Sequence, residues 1–71
     1  MRVRYDPTAD AAYIYLTDDR LSPGRESVPV VMPNEMRGAI VVLDFQDGKI
    51  VGLEVLDASS MLHADLLASA K

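Results

Sequence analysis

The chain has 71 residues, 49% of them apolar and 25% charged, with no cysteine and a formal net charge of −4. This is the mix of an ordinary folded protein, so a disordered acidic tail is excluded and one domain over residues 1–71 is expected. Disulfides and thiolate metal sites are excluded. No apolar run approaches the roughly 18 residues of a membrane helix, no signal-peptide pattern opens the chain, and a reducing, cytoplasmic setting is expected.

Residues 2–5 alternate polar and apolar side chains, the period of a half-buried strand. Asp6 and Pro7 end it, because proline lacks an N–H and an aspartate closes a turn on its own backbone. Residues 11–17 form the next strand, with Ala12, Ile14 and Leu16 on one face and Ala11, Tyr13 and Tyr15 on the other. The two are expected to make a hairpin. After a polar loop, residues 26–32 suggest a third strand, with Val28, Val30 and Met32 facing one way. Pro29 confines it to a sheet edge or a bulge. Residues 33–38 read as a loop with one turn of helix.

Residues 40–45 and 50–56 are two strands joined by Asp47-Gly48, a strong two-residue hairpin signal. In a simple register Phe45 opposes Ile50, Leu43 opposes Gly52 and Val41 opposes Glu54. Phe45, Leu43, Val41, Ile50 and Leu56 then share one face, and Ile40, Val42, Val51, Leu53 and Val55 the other. A hairpin apolar on both sides needs cover on both. Residues 57–60 offer helix caps, and residues 61–68 carry a helical stripe of Leu62 and Leu66 flanked by Met61 and Leu67. The expected fold is α+β: a small antiparallel sheet of three to four strands, with one C-terminal helix packed on one face. One helix cannot cover both faces, so a second copy or another protein is the economical cover.

Charge points the same way. The arginines Arg2, Arg4, Arg20, Arg25 and Arg37 lie in the first half and the second half is acidic. A net negative chain disfavours a phosphate backbone, so nucleic acid is not an expected partner, whereas a small basic protein is.

Residues that carry chemistry are few. His63 stands alone, with no second histidine or cysteine to build a zinc site, and no metal or other cofactor is expected. Asp47-Gly48 and Glu54 match the second half of a calcium loop, but Leu43 and Phe45 stand where its first carboxylates belong. Tyr5, Tyr13 and Tyr15 fit a core or interface better than a base-stacking platform, since no cations interleave the second strand. Asp10 reads as a turn-closing group. Glu54 sits within an apolar strand and must be paired, solvated or shifted in pKa, with Arg2, Arg4 or Arg37 as available partners.

Two stretches resemble a known family. Tyr5-Asp6-Pro7-Thr8-Ala9-Asp10-Ala11-Ala12-Tyr13-Ile14 is one, and the run from Asp44 to Ser59, DFQDGKIVGLEVLDAS, is the other. Together they are similar to the short bacterial and archaeal proteins of the domain of unknown function 2283 family, over about residues 2–62. The resemblance implies a small antiparallel sheet with a C-terminal helix and implies no established activity. Some members sit in a gene context like that of the antitoxin half of small toxin–antitoxin pairs. The family's motif residues carry over to Tyr5, Asp6, Asp10, Tyr13, Asp44, Gly48, Gly52 and Glu54. The chain departs at Ala12, where a larger aliphatic residue is usual, and in segment 21–39. Physically, Gly48 supplies a positive φ, and Gly52 leaves room for Tyr13 or Tyr15 to lie across the sheet.

Two functions follow as expectations. The first is a protein-interaction module, acting as a homodimer or as the antitoxin-like partner of a small basic protein. The second is a small-ligand or catalytic domain using Asp10 and Glu54 with a tyrosine at a subunit boundary. Nothing supplies a nucleophile, a metal or a cofactor cradle, so an enzyme is the less favoured of the two.

Overall fold

The first hairpin forms where the alternation predicts it. In the computed structural model, which describes residues 2–36 and 38–70, β1 (Arg2–Asp6) pairs antiparallel with β2 (Ala11–Tyr15). The Asp6 carboxylate accepts the N–H of Thr8 at 3.0 Å and of Ala9 at 3.4 Å, and Asp10 adopts a left-handed φ of 49°. β3 (Glu26–Pro29) follows a loop, and a 3-10 turn spans Asn34–Met36. β4 (Ile40–Gln46) and β5 (Lys49–Leu56) then make the second hairpin. Its turn residues Asp47 and Gly48 have φ of 54° and 77°, the mirror-image geometry that a two-residue turn requires. The strand order is β1-β2-β5-β4-β3, so the last strand in the chain lies at the centre of the sheet.

The sheet therefore has five strands, not three to four. The third strand suggested by residues 26–32 does form, as β3, and it is an edge strand, as Pro29 demands. It is also shorter than residues 26–32, ending at Pro29 opposite Val42, with one further bond from the Val30 N–H to the Val41 carbonyl at 2.8 Å. Its hold on β4 comes partly from side chains, since Ser27 donates to Asp44 from within the strand.

The second correction concerns register. Phe45 opposes Ile50 as expected, but Asp44 opposes Gly52, Leu43 opposes Leu53 and Val41 opposes Val55. Val51 is an extra residue on β5, a β-bulge, and every pair beyond it slips by one. A slip of one exchanges the faces of a strand. Val41, Leu43, Leu53 and Val55 thus share one face with Ala12 and Ile14, while Val42, Asp44, Gly52 and Glu54 share the other with Tyr13 and Tyr15. The hairpin is apolar on one face and mixed on the other.

The C-terminal segment is two short helices, not one. α1 (Ala58–Met61) ends at Leu62, whose backbone is extended, and α2 (Ala64–Ala68) starts afresh at His63. His63 is the cap of α2, its Nδ1 accepting the Asp65 N–H at 3.2 Å. The break lets Met61, Leu62 and Leu67 all settle on the core around Ala12, Val55 and Ala58. No helix among the described residues is long and apolar enough to cross a membrane.

The molecule is a slab of 32 × 29 × 18 Å, one sheet with one thin helical layer. Its buried apolar residues are Val3, Ala12, Ile14, Val51, Val55 and Ala58, with no leucine or aromatic ring among them.

Candidate functional site

The most constrained polar group is Asp44, on the face away from the helices and only 5% exposed. Three neighbours hold its carboxylate. Ser27 Oγ donates to Oδ1 at 2.6 Å, and Tyr13 Oη and Arg25 Nε donate to Oδ2 at 2.6 and 2.9 Å. Tyr13 reaches Asp44 from β2 by lying over β5. Gly52 makes that crossing available, because a Cβ there would overlap the Tyr13 ring and hydroxyl. Gly52 is thus required for the close approach of a side chain, and the crossing ring is Tyr13.

The electrostatics follow from that packing. Burial and the bond to Asp44 push the Tyr13 phenol up to about 12. Burial acts to raise the Asp44 carboxyl, but the bonds from Ser27, Tyr13 and Arg25 outweigh it and hold the carboxyl below its usual range. The Arg25 guanidinium is stabilised in turn by Asp44. Arg25 Nη1 also donates to the Ser22 carbonyl at 2.8 Å, and the Ser22 N–H donates to Gln46 Oε1 at 2.7 Å, so the loop before β3 is tied down on the sheet. A phenol at about 12 stays protonated at neutral pH and is a poor general base. The group is a clamp that joins β2, β4 and β3 across β5.

A second tyrosine–aspartate couple lies on the helix side. Tyr5 Oη donates to Asp10 Oδ1 at 2.7 Å, and Asp10 also accepts the Ser59 N–H at 3.0 Å and Ser59 Oγ at 2.8 Å. The Ala58 N–H donates to the Asp10 carbonyl at 3.0 Å. Asp57, the residue before α1, makes no side-chain cap of its own, and the Asp10 carboxylate supplies it from the hairpin turn. These bonds, that of Tyr5 foremost, lower the Asp10 pKa and raise that of Tyr5.

Asp10 and Glu54 are not brought together. Asp10 is held on the helix side with Tyr5, whereas Glu54 pairs with Tyr13 and Val42 on the opposite face. Glu54 is half-buried and makes no ion pair or side-chain hydrogen bond among the described residues. Of its expected partners, Arg2 stacks on the Tyr15 ring, 3.8 Å from the centroid, Arg4 is exposed, and Arg37 lies outside the described residues. Glu54 and Arg4 flank a shallow cavity of about 310 Å³ lined also by Asp6, Tyr13 and Tyr15. Among the described residues no three potential metal ligands converge.

The tyrosine–aspartate couples, the glycine crossing and the cap on α1 account for Tyr5, Asp10, Tyr13, Asp44 and Gly52, whose spacing in the chain has no other obvious reason. The family model that matches the chain, over residues 2–59, is that of a protein of unknown function, DUF2283. The chain belongs to this family. No curated protein and no solved structure matches it. Within this DUF2283 protein, the sequence reading missed Arg25, Ser27 and Ser59. None stands out in the chain, because each becomes a partner only through the strand order. It also placed the carboxylate to explain at Glu54, whereas Asp44 is the buried one, a consequence of the bulge at Val51.

Proposed function

We propose that the protein is a protein-interaction module that works as a homodimer. The observation that carries this reading is the mismatch between its core and its surface. A compact monomer of 7.8 kDa exposes roughly 4,400 Å². This chain exposes 5140 Å², an excess of roughly 700 Å² on that scale. Each partner in a standard interface gives up about 800 Å². The six apolar residues buried among those described, none larger than isoleucine, are a meagre core for a domain with no cysteine, and association is the device we invoke. The absence of cysteine accords with work in a reducing cytoplasm.

Light scattering over a dilution series tests the reading. A particle of twice 7.8 kDa that dissociates on dilution is the expected result. A monodisperse monomer up to millimolar concentration overturns it. A monomer that forms a one-to-one complex with a small basic protein moves the role to a hetero-partner, the antitoxin-like case.

A second reading rests on Glu54, which makes no ion pair or side-chain hydrogen bond among the described residues and lies beside Arg4 in the shallow cavity. It makes the cavity a small-ligand site. An NMR titration of Glu54 with no shift on addition of candidate ligands removes it.

A further inference from the structure

The helices leave part of their own side of the sheet bare. α1 and α2 pack against the β5 and β1 side, around Ala12 and Val55. Toward the other end of the same face lie Leu16 from β2's extension, Ile50 from β5, Phe45 and Leu43 from β4 and Val28 from β3. Leu16 is 48% exposed, Val28 46% and Ile50 45%, while Leu43 and Phe45 are half-buried. Five large apolar side chains on four adjacent strands form a continuous strip. Glu26, opposite Phe45 on the edge strand, and Asp19, Asp47 and Lys49, which line one cavity with Leu16 and Ile50, are charges at its rim.

We propose that a second copy of this chain docks on this strip, sheet against sheet. The inference rests on the dimer reading above and names its surface. Three observations select it. The edges are poor sites for strand addition, since β3 is only four residues long and ends at Pro29, and Arg2 and Arg4 line β1. The opposite face carries Arg2, Arg4 and Glu54, which sheet-on-sheet packing would strip of water at a cost. The strip itself carries no charged side chain, and the molecule's exposed area exceeds that of a compact monomer by roughly 700 Å², close to the ~800 Å² that one partner contributes to a standard interface. The dimer has a twofold axis, so each copy presents the same strip and the interface closes. Two sheets pack face to face at about 10 Å, interleaving their side chains. Phe45, central in the strip, is the anchor.

Three lysine variants, measured by light scattering with circular dichroism as a fold check, decide the question. Ile50→Lys and Val28→Lys fall in the strip. Ile40→Lys lies on the opposite face at 47% exposure. Each makes the net charge less negative, so long-range repulsion does not explain a loss of dimer. Burying an unpaired ammonium weakens association by on the order of tenfold or more. Ile50→Lys and Val28→Lys are expected to dissociate at correspondingly higher concentration with unchanged dichroism, and Ile40→Lys to match the parent. If Ile40→Lys dissociates and the strip variants do not, the surface is wrong although the dimer stands. If the parent is a monomer throughout, both fall.

Discussion

Tyr13 is the residue on which the polar face turns. Its hydroxyl bridges β2 to β4 across a strand that must be glycine at the crossing point. Tyr13→Phe removes one donor from a buried carboxylate and is expected to cost about 1–3 kcal/mol in urea denaturation, leaving the ring in place. The pH profile carries a distinct sign. The phenol is raised from 10.0 to about 12, so its contribution is whole below pH 10.0 and is lost as pH climbs toward 12. Asp44 is lowered, so its contribution is whole above 3.8 and is lost as pH falls below that value. Tyr13→Phe should therefore flatten the alkaline limb of stability and leave an acid limb. Gly52→Ala is expected to cost about 1–3 kcal/mol by overpacking. It should cost far less in a Tyr13→Ala background, because the added methyl then meets no ring. A double-mutant cycle measures that coupling, and additive costs would count against the crossing.

At the scale of elements, the two hairpins and the edge strand were legible because their signals are local. Alternation marks β1 and β2, Asp47-Gly48 marks the second turn, and Pro29 marks an edge. What escaped was anything set by one residue of slippage. A bulge at Val51 leaves the composition of β5 unchanged yet exchanges its faces, turning an apparent two-sided apolar hairpin into one with a polar side. The helix break escaped for a similar reason. The stripe of Met61, Leu62, Leu66 and Leu67 fits one helix, but docking Leu62 and Leu67 together requires a turn at His63. Of the site, Tyr5, Asp10, Tyr13, Asp44 and Gly52 could be singled out by motif, while their grouping into two couples depends on long-range pairing. Asp10 is the polar tie that fastens α1 to the hairpin. Asp10→Ala is expected to speed amide exchange at Ser59 and through α1 and α2, with β4 and β5 protected as before. Uniform loss of protection would show a wider role.

For the whole molecule, size governs. A slab 18 Å thick, with six buried apolar residues among those described, leaves apolar surface that its own helices do not reach. If a second copy supplies the cover, folding and association are linked, and the midpoint of thermal unfolding rises with protein concentration. Calorimetry over a hundredfold concentration range is the check, and a constant midpoint argues for a self-sufficient monomer. The strand order adds a constraint on timing. The strand at the middle of the sheet is the fifth to be synthesised, and both flanking hairpin edges wait for it. A nascent chain halted before Lys49 holds β2 and β4 with no strand to join them, and Tyr13 and Asp44 with nothing to lie across. The two halves of the sheet, β1-β2 and β4-β3, thus become hydrogen-bonded to one another only once β5 has been made.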